Sequence, residues 1–381
     1  MLKIGILGLG NAGGQIAMLA KKTKGFPAVV INSSERDIEA IKGYIECIVI
    51  GNHEGAGKDR SIAKRYIKED ARKLIADEVL SQLVNENDYI FIVSSCGGGT
   101  GSGTAPIITD ILSKYYNHNV ESGKKGKVFV NVGILPAVGE SVGAQRNTIE
   151  YLTEMLELGG SYMLFDNDRV KGTSARVLET VNHAAVDTFA LLRGDYSMPS
   201  PYQMLDETDT RKIITMPGMI FVDIIKQVYE EKIEAGGTIE DMLVQHINDV
   251  NCMVKPDRDK VPTRLGFVSN LSEDVQEYFN ENLPKIRSIF GEPIEDFKHI
   301  AINEDDTEAN MLGVIISGMS LPENRLKVVK HRIDSVEEAL ANKKKGSLLG
   351  SLKDSVAKYD STMSKPQENT SFDLDTITGK Y

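Results

Sequence analysis

The chain has no tryptophan, and aromatic residues fill only 6% of its 381 positions. A core must therefore be built mainly from aliphatic side chains. Cys47, Cys96 and Cys252 are odd in number and far apart, which excludes a disulfide framework and a zinc-ligand spacing. That usage suits a reducing compartment, and a cytoplasmic location is expected. No apolar run approaches the about 20 residues that span a bilayer, so no transmembrane segment is expected. The opening Met1-Leu2-Lys3-Ile4-Gly5 has too short an apolar run for a secretory signal. Positive charge is also in deficit, the net charge being −11. That argues against direct DNA binding by the core, because phosphate contacts need Lys and Arg. No internal repeat and no protein-held metal cluster are visible.

What the chain does have is glycine at junctions between strands and helices. Gly97-Gly98-Gly99-Thr100-Gly101-Ser102-Gly103 follows the apolar run Tyr89-Ile90-Phe91-Ile92-Val93, which reads as a buried parallel strand. A helix is expected over 105–112, with Pro106 near its start, where a missing N–H costs little. Glycine lets backbone approach a ligand, and successive N–H groups at a helix start converge on an anion. Thr100 and Ser102 add hydroxyl donors. A tight turn alone would explain one or two glycines, whereas five in seven residues point to a phosphate cradle. No Gly-Lys-Ser/Thr follows, so the loop is not a Walker A loop.

Two further glycine loops precede it. Gly8, Gly10 and Gly13 give G-x-G-x-x-G between a strand at 2–9 and a helix to about Lys22. Alone, that spacing reads as a Rossmann dinucleotide site and a nicotinamide-dependent oxidoreductase. The ribose-holding acid expected after the second strand, 28–31, is replaced by Asn32-Ser33-Ser34, with Glu35 close by. After a third strand at 47–50 comes Gly55-Ala56-Gly57-Lys58, where Lys58 either adds a cation to a phosphate site or is simply solvated.

The heptad of residues 97–103 resembles, letter for letter, the signature loop of the tubulin/FtsZ superfamily of polymerising GTPases. The resemblance implies GTP or GDP as ligand, with Mg²⁺ on its phosphates. It assigns Gly97, Gly98, Gly99, Thr100, Gly101 and Ser102 to the phosphates, together with Gly10, Asn11 and Gly13 of the first loop. Gly55, Ala56, Gly57 and Lys58 match the loop that senses the terminal phosphate, and Asn32 belongs with these loops. Gln15 matches a base contact, its alternative being a solvated helix residue. Glu140, after Pro136, and Asn167 match ribose contacts; otherwise one caps a helix and the other makes a turn. Asn182, on a long helix over 174–192, matches the residue that reads guanine, since one amide pairs with both its acceptor and its donors. Gly14 stands where the family often has asparagine, and Leu178 where tubulin stacks an aromatic ring.

The same resemblance assigns Asp206 and Asp209 as catalytic acids, although both also read as helix caps. Met204 replaces an asparagine frequent in the family. These acids are expected to complete the site of the next subunit in a head-to-tail filament, orienting water for attack on the γ-phosphate. Among the branches, the sequence looks most like the plasmid and phage TubZ type. That implies partition or positioning of DNA through an adaptor bound to the C-terminal tail. A GTP-binding homologue that assembles without turnover is the remaining alternative.

The expected fold class is α/β. A Rossmann-like nucleotide domain with a parallel sheet fills 1–172, and a central helix and linker 173–205. A smaller α/β assembly domain fills 206–322. Helices follow over 323–358, broken at Lys343-Lys344-Lys345-Gly346, and a disordered tail over 359–381.

Overall fold

The computed structural model describes residues 2–118, 125–195, 204–226, 228, 237–257, 264–291, 293–302 and 310–346. Six apolar runs of the first half become β1 (Ile4–Leu9), β2 (Ala28–Asn32), β3 (Glu46–Val49), β4 (Tyr89–Ser95), β5 (Val128–Leu135) and β6 (Ser161–Asp166). All pair in parallel, in the order β3-β2-β1-β4-β5-β6. Their near-continuous burial follows from helices on both faces.

Those helices are α1 (Gly10–Lys24), α2 (Glu35–Glu39), α3 (Arg60–Glu69), α4 (Ala71–Ala76), α5 (Glu78–Glu86), α6 (Thr100–Asn117), α7 (Val142–Leu158) and α8 (Ser174–Arg193). The apolar period from Ile62 to Leu83 reads as one surface helix, yet it is three. Asp70 and Asp77 interrupt it, and the Asp77 carboxylate caps α5 by accepting the Leu80 N–H at 3.0 Å.

α8 has 20 residues and spans about 30 Å. Phe189 on it packs edge-on against Phe26 and Phe91, which fixes the helix to the first half of the sheet. The second half holds α9 (Glu207–Ile214), β7 (Gly218–Ile225), α10 (Ile239–Asp249), β8 (Arg264–Leu271), α11 (Glu273–Ser288), β9 (Glu295–Ile302), β10 (Met311–Met319) and α12 (Glu323–Gly346). β7 joins β6 through Ser161↔Gly218 and Tyr162↔Met219. β10 lies antiparallel between β7 and β8, and β9 is parallel to β8. Among the described residues the strands form one ten-stranded sheet; the α/β class is the expected one, and the strands of the second half extend the sheet of the first.

Two elements differ from expectation. α6 starts at Thr100, five residues early, so Pro106 sits inside it rather than near its start. Pro106 cannot donate to the Ser102 carbonyl one turn back. The Arg60 Nη2 donates there instead, at 2.9 Å, and replaces the missing helical bond. α12 runs on through Lys343 to Gly346 rather than breaking there. Its first turns are docked, with Leu326 and Val329 buried, and it rises off the surface from Glu337. The second amphipathic segment and the tail, 347–381, lie outside the described residues.

Candidate functional site

The carboxyl ends of β1 and β4, neighbours in the sheet, each feed a helix whose N-terminus faces one cavity of about 430 Å³. Neither α1 nor α6 has a side-chain cap or an acid in its first turn. Elsewhere Ser34, Asp59, Asp77, Ser141, Thr173, Asp206 and Thr238 cap their helices in the usual way. Two adjacent helix starts thus keep free N–H donors and positive dipole ends for an anion.

The cavity gathers Gly10 and Asn11 of the first loop, Gly55, Ala56, Gly57 and Lys58 of the third, and Gly98, Gly99, Thr100 and Gly101 of the signature loop. Its glycines have two roles. A Cβ on Gly99 would meet the Lys58 Cα at 2.7 Å, so that glycine lets two loops touch. A Cβ on Gly98 would meet nothing nearer than 3.8 Å, and Gly98 lines the cavity. Gly13 is not among the residues that line this cavity. A Cβ there would lie 2.1 Å from the Val93 carbonyl oxygen, so Gly13 serves the packing of α1 on β4.

The other expected site residues are not among those that line this cavity. Ser102 is fully buried: its hydroxyl donates to the Gly98 carbonyl and accepts from Arg60 Nε at 3.2 Å. It shapes the loop and offers no free donor. Asn32 is likewise buried, its Oδ1 accepting the N–H groups of Ser33 and Ser34, and its place leaves no acid where a nicotinamide ribose would need one. Ser33 Oγ lies 2.7 Å from Thr100 Oγ1 and joins this loop to the signature. Gly97 packs against Ala144 and Pro136.

Glu140 is exposed and accepts the Ala137 N–H at 3.1 Å, while Ser141 caps α7. Asn167 begins the turn after β6, and its Oδ1 is buried with no partner. A ribose hydroxyl is the kind of donor that acceptor calls for. Gln15 and Asn182 are half-buried, and Leu178, one turn before Asn182 on the same face of α8, is 47% exposed.

Three residues that sequence reasoning missed hold the loops. Arg60, 3% exposed, gives its Nη1 to Glu150 at 2.7 Å and its Nη2 to Glu154 at 2.9 Å, besides its bonds to Ser102. Asn147 on α7 donates to the carbonyls of Lys58, Gly97 and Gly98 at 3.0 to 3.1 Å, clamping the third loop to the signature. Asp166, 2% exposed, pairs with Arg325. No sequence spacing links these partners. Burial pushes the Cys96 thiol far up, so the cysteine just before the signature is no nucleophile.

Asp206 and Asp209 lie elsewhere. They open α9, beyond the C-terminal end of α8, where Arg211 donates to Gly126 just ahead of β5. That is the amino edge of the parallel strands, and the cavity is at the carboxyl edge. Asp206 Oδ1 accepts the Asp209 N–H at 2.9 Å. Burial, then the nearby Asp206, raises the Asp209 carboxyl above the usual value. Met204 beside them is 63% exposed.

Residues 3–175 match the Tubulin/FtsZ family, GTPase domain. Over that span the chain is similar to a Tubulin/FtsZ family GTPase domain. It is 30% identical to the tubulin-like protein CetZ3 of Haloferax volcanii over 193 residues, covering 45% of either chain. It is 26% identical to the tubulin-like protein TubZ of Clostridium botulinum C phage over 224 residues, 56% of this chain and 57% of the other. The chain spans about half the length of the curated relatives it matches. Its fold is shared by the protofilament structure of CetZ2 from Haloferax volcanii. The TM-score there is 0.69 at 18% identity, over 89% of this chain and 99% of that one. The family is one of filament-forming GTPases. Among the described residues, no helix is long and apolar enough to cross a membrane.

Proposed function

We propose that this protein binds GTP in the cavity between α1 and α6 and hydrolyses it only when a second copy supplies Asp206 and Asp209. The observation that carries the reading is the separation of the two half-sites. The anion cradle and the acids stand on opposite edges of the sheet, so no single chain brings them together. A contact that joins one edge to the other repeats head to tail and propagates as a filament. The CetZ2 structure, described as a GTPγS-bound protofilament, supports both ligand and assembly.

Residues of the cavity match the parts of a triphosphate. The free N–H groups of Gly99 to Gly101 and of Gly10 to Ala12 face the phosphate oxygens, and Lys58 adds a charge near the terminal one. Asn167 and Glu140 take the ribose, and Asn182 and Gln15 read the base over Leu178. Asp37, Glu54 and Asn11 also line the cavity, and their oxygens are the donor type that would hold a phosphate-bound Mg²⁺. When bound, such an ion would supply neutralisation of phosphate charge. The arriving Asp206 and Asp209 orient water in line with the γ-phosphate, and the raised Asp209 carboxyl is the better proton acceptor of its kind.

The finer role, moving plasmid or phage DNA through an adaptor held by the C-terminal tail, rests on likeness to TubZ alone. The test of the core reading is GTP turnover per subunit across a protein concentration series, with light scattering in parallel and ATP as control. Turnover and scattering should rise together above one threshold, for GTP only. Flat turnover per subunit would sink the shared site.

A further inference from the structure

Arg325 is in the first turn of α12, at the carboxyl ends of β5 and β6. Its Nε donates to Asp166 Oδ2 at 2.6 Å and its Nη2 to Asp166 Oδ1 at 3.0 Å. The same Nη2 donates to the Pro136 carbonyl at 3.0 Å. Asp166 Oδ1 also accepts the Asp168 N–H at 3.0 Å, and the Asp168 carboxylate accepts the Val138 N–H at 3.2 Å. Residues 136–138 open the loop that carries Glu140, and Asp166 and Asp168 flank Asn167. One guanidinium from the C-terminal helix therefore ties together both loops assigned to the ribose.

A pair this buried is a weak source of net stability, because desolvation offsets most of the attraction. Its planar fork is suited to fixing geometry. A second link runs alongside. Arg146 on α7 pairs with Glu337 on α12, and the next residue, Asn147, holds the signature loop. Arg325 Nη1 and Asn167 Oδ1 are both buried without a partner, so polar capacity is left over at this junction.

We propose that Arg325 is a positioning residue for the ribose side of the nucleotide site, coupling the docking of α12 to nucleotide occupancy. The inference rests on the guanine-nucleotide reading above. By linkage, whatever lifts the start of α12 loosens the ribose loops, and a bound nucleotide holds α12 down to the same extent.

The test uses the full chain and three probes: GDP, 2′,3′-dideoxyGDP and ADP. Affinities are measured for wild type, Arg325→Lys and Arg325→Met, with thermal melting of each. Wild type should prefer GDP to the dideoxy analogue by about tenfold, the worth of one or two ribose hydrogen bonds. Both variants should lose that preference and keep the preference for GDP over ADP. Arg325→Lys keeps the charge without the fork, so charge alone should not rescue. A folded variant with wild-type ribose discrimination overturns the proposal, whatever its melting temperature. Amide exchange on wild type gives an answer that needs no variant. Residues 323–330 should exchange more slowly with GDP bound, and unchanged exchange there overturns the coupling. Wild type that binds no GDP removes the parent reading as well. Wild type that binds GDP with ribose preference, beside variants that keep it, removes this inference alone.

Discussion

Single residues separate the demands of packing from those of binding. Gly13 and Gly98 both belong to glycine-rich stretches, but their surroundings differ. Gly13→Ala drives a Cβ to 2.1 Å from the Val93 carbonyl oxygen and should cost about 3 kcal/mol or more, read from urea unfolding. Gly98→Ala meets nothing nearer than 3.8 Å, so stability should hold within about 0.5 kcal/mol. It should instead weaken GTP binding at least about tenfold by narrowing the cavity. Asn182→Ala should cut GTP affinity by about 5- to 100-fold and erase the preference for GTP over ATP, since an unmade pair at the base costs about 1–3 kcal/mol. Titration of the protein with both nucleotides decides it. Ser102 shows where residue type misleads: a hydroxyl in a phosphate-like loop reads as a donor to ligand, but the Gly98 carbonyl and the Arg60 Nε beside it take up its bonding capacity.

Elements depend on partners that arrive from far along the chain. α6 contains a proline, and its lost bond is restored by Arg60 from α3, which also pairs with two glutamates of α7. Arg60→Met leaves the Ser102 carbonyl and the Glu150 carboxylate without this partner, and leaves Glu154 with Lys64 alone. Because the glutamates keep some solvent, the loss should be near the low end for a broken buried pair, about 3 kcal/mol. Denaturant midpoints of the variant and of Arg60→Lys would check it, with Lys recovering part. At α9 two functions share one residue. Asp206→Asn keeps the cap and removes the charge, whereas Asp206→Ala removes both and costs about 1 kcal/mol more in stability. If the acid is catalytic, both variants should lose turnover by about 100-fold or more with GTP binding intact. Full turnover in Asp206→Asn would leave only the cap.

At the scale of the whole molecule, the proposed site is divided between the two edges of one sheet, so activity should follow assembly rather than folding. Asp209 adds a pH signature. Its folded-state value is raised above 3.8, so its contribution to stability is present below that value and lost as pH rises through the raised one. Asp209→Asn should abolish that small slope. The acidic limb of turnover should likewise lie above the ordinary aspartate range. Taken alone, the sequence determined the strands, the glycine junctions, the α/β class and the resemblance of the signature loop, because these depend on local period and on residues close in the chain. Only the tertiary structure showed that Ser102 and Asn32 face inward and that Asn147 and Arg60 hold the loops. It alone showed Arg325 reaching Asp166 across 159 residues, and the acids standing on the edge away from the cavity. Hydrogen bonds between distant elements leave no period in the sequence, and a side chain's orientation is fixed by which partner the fold sets beside it.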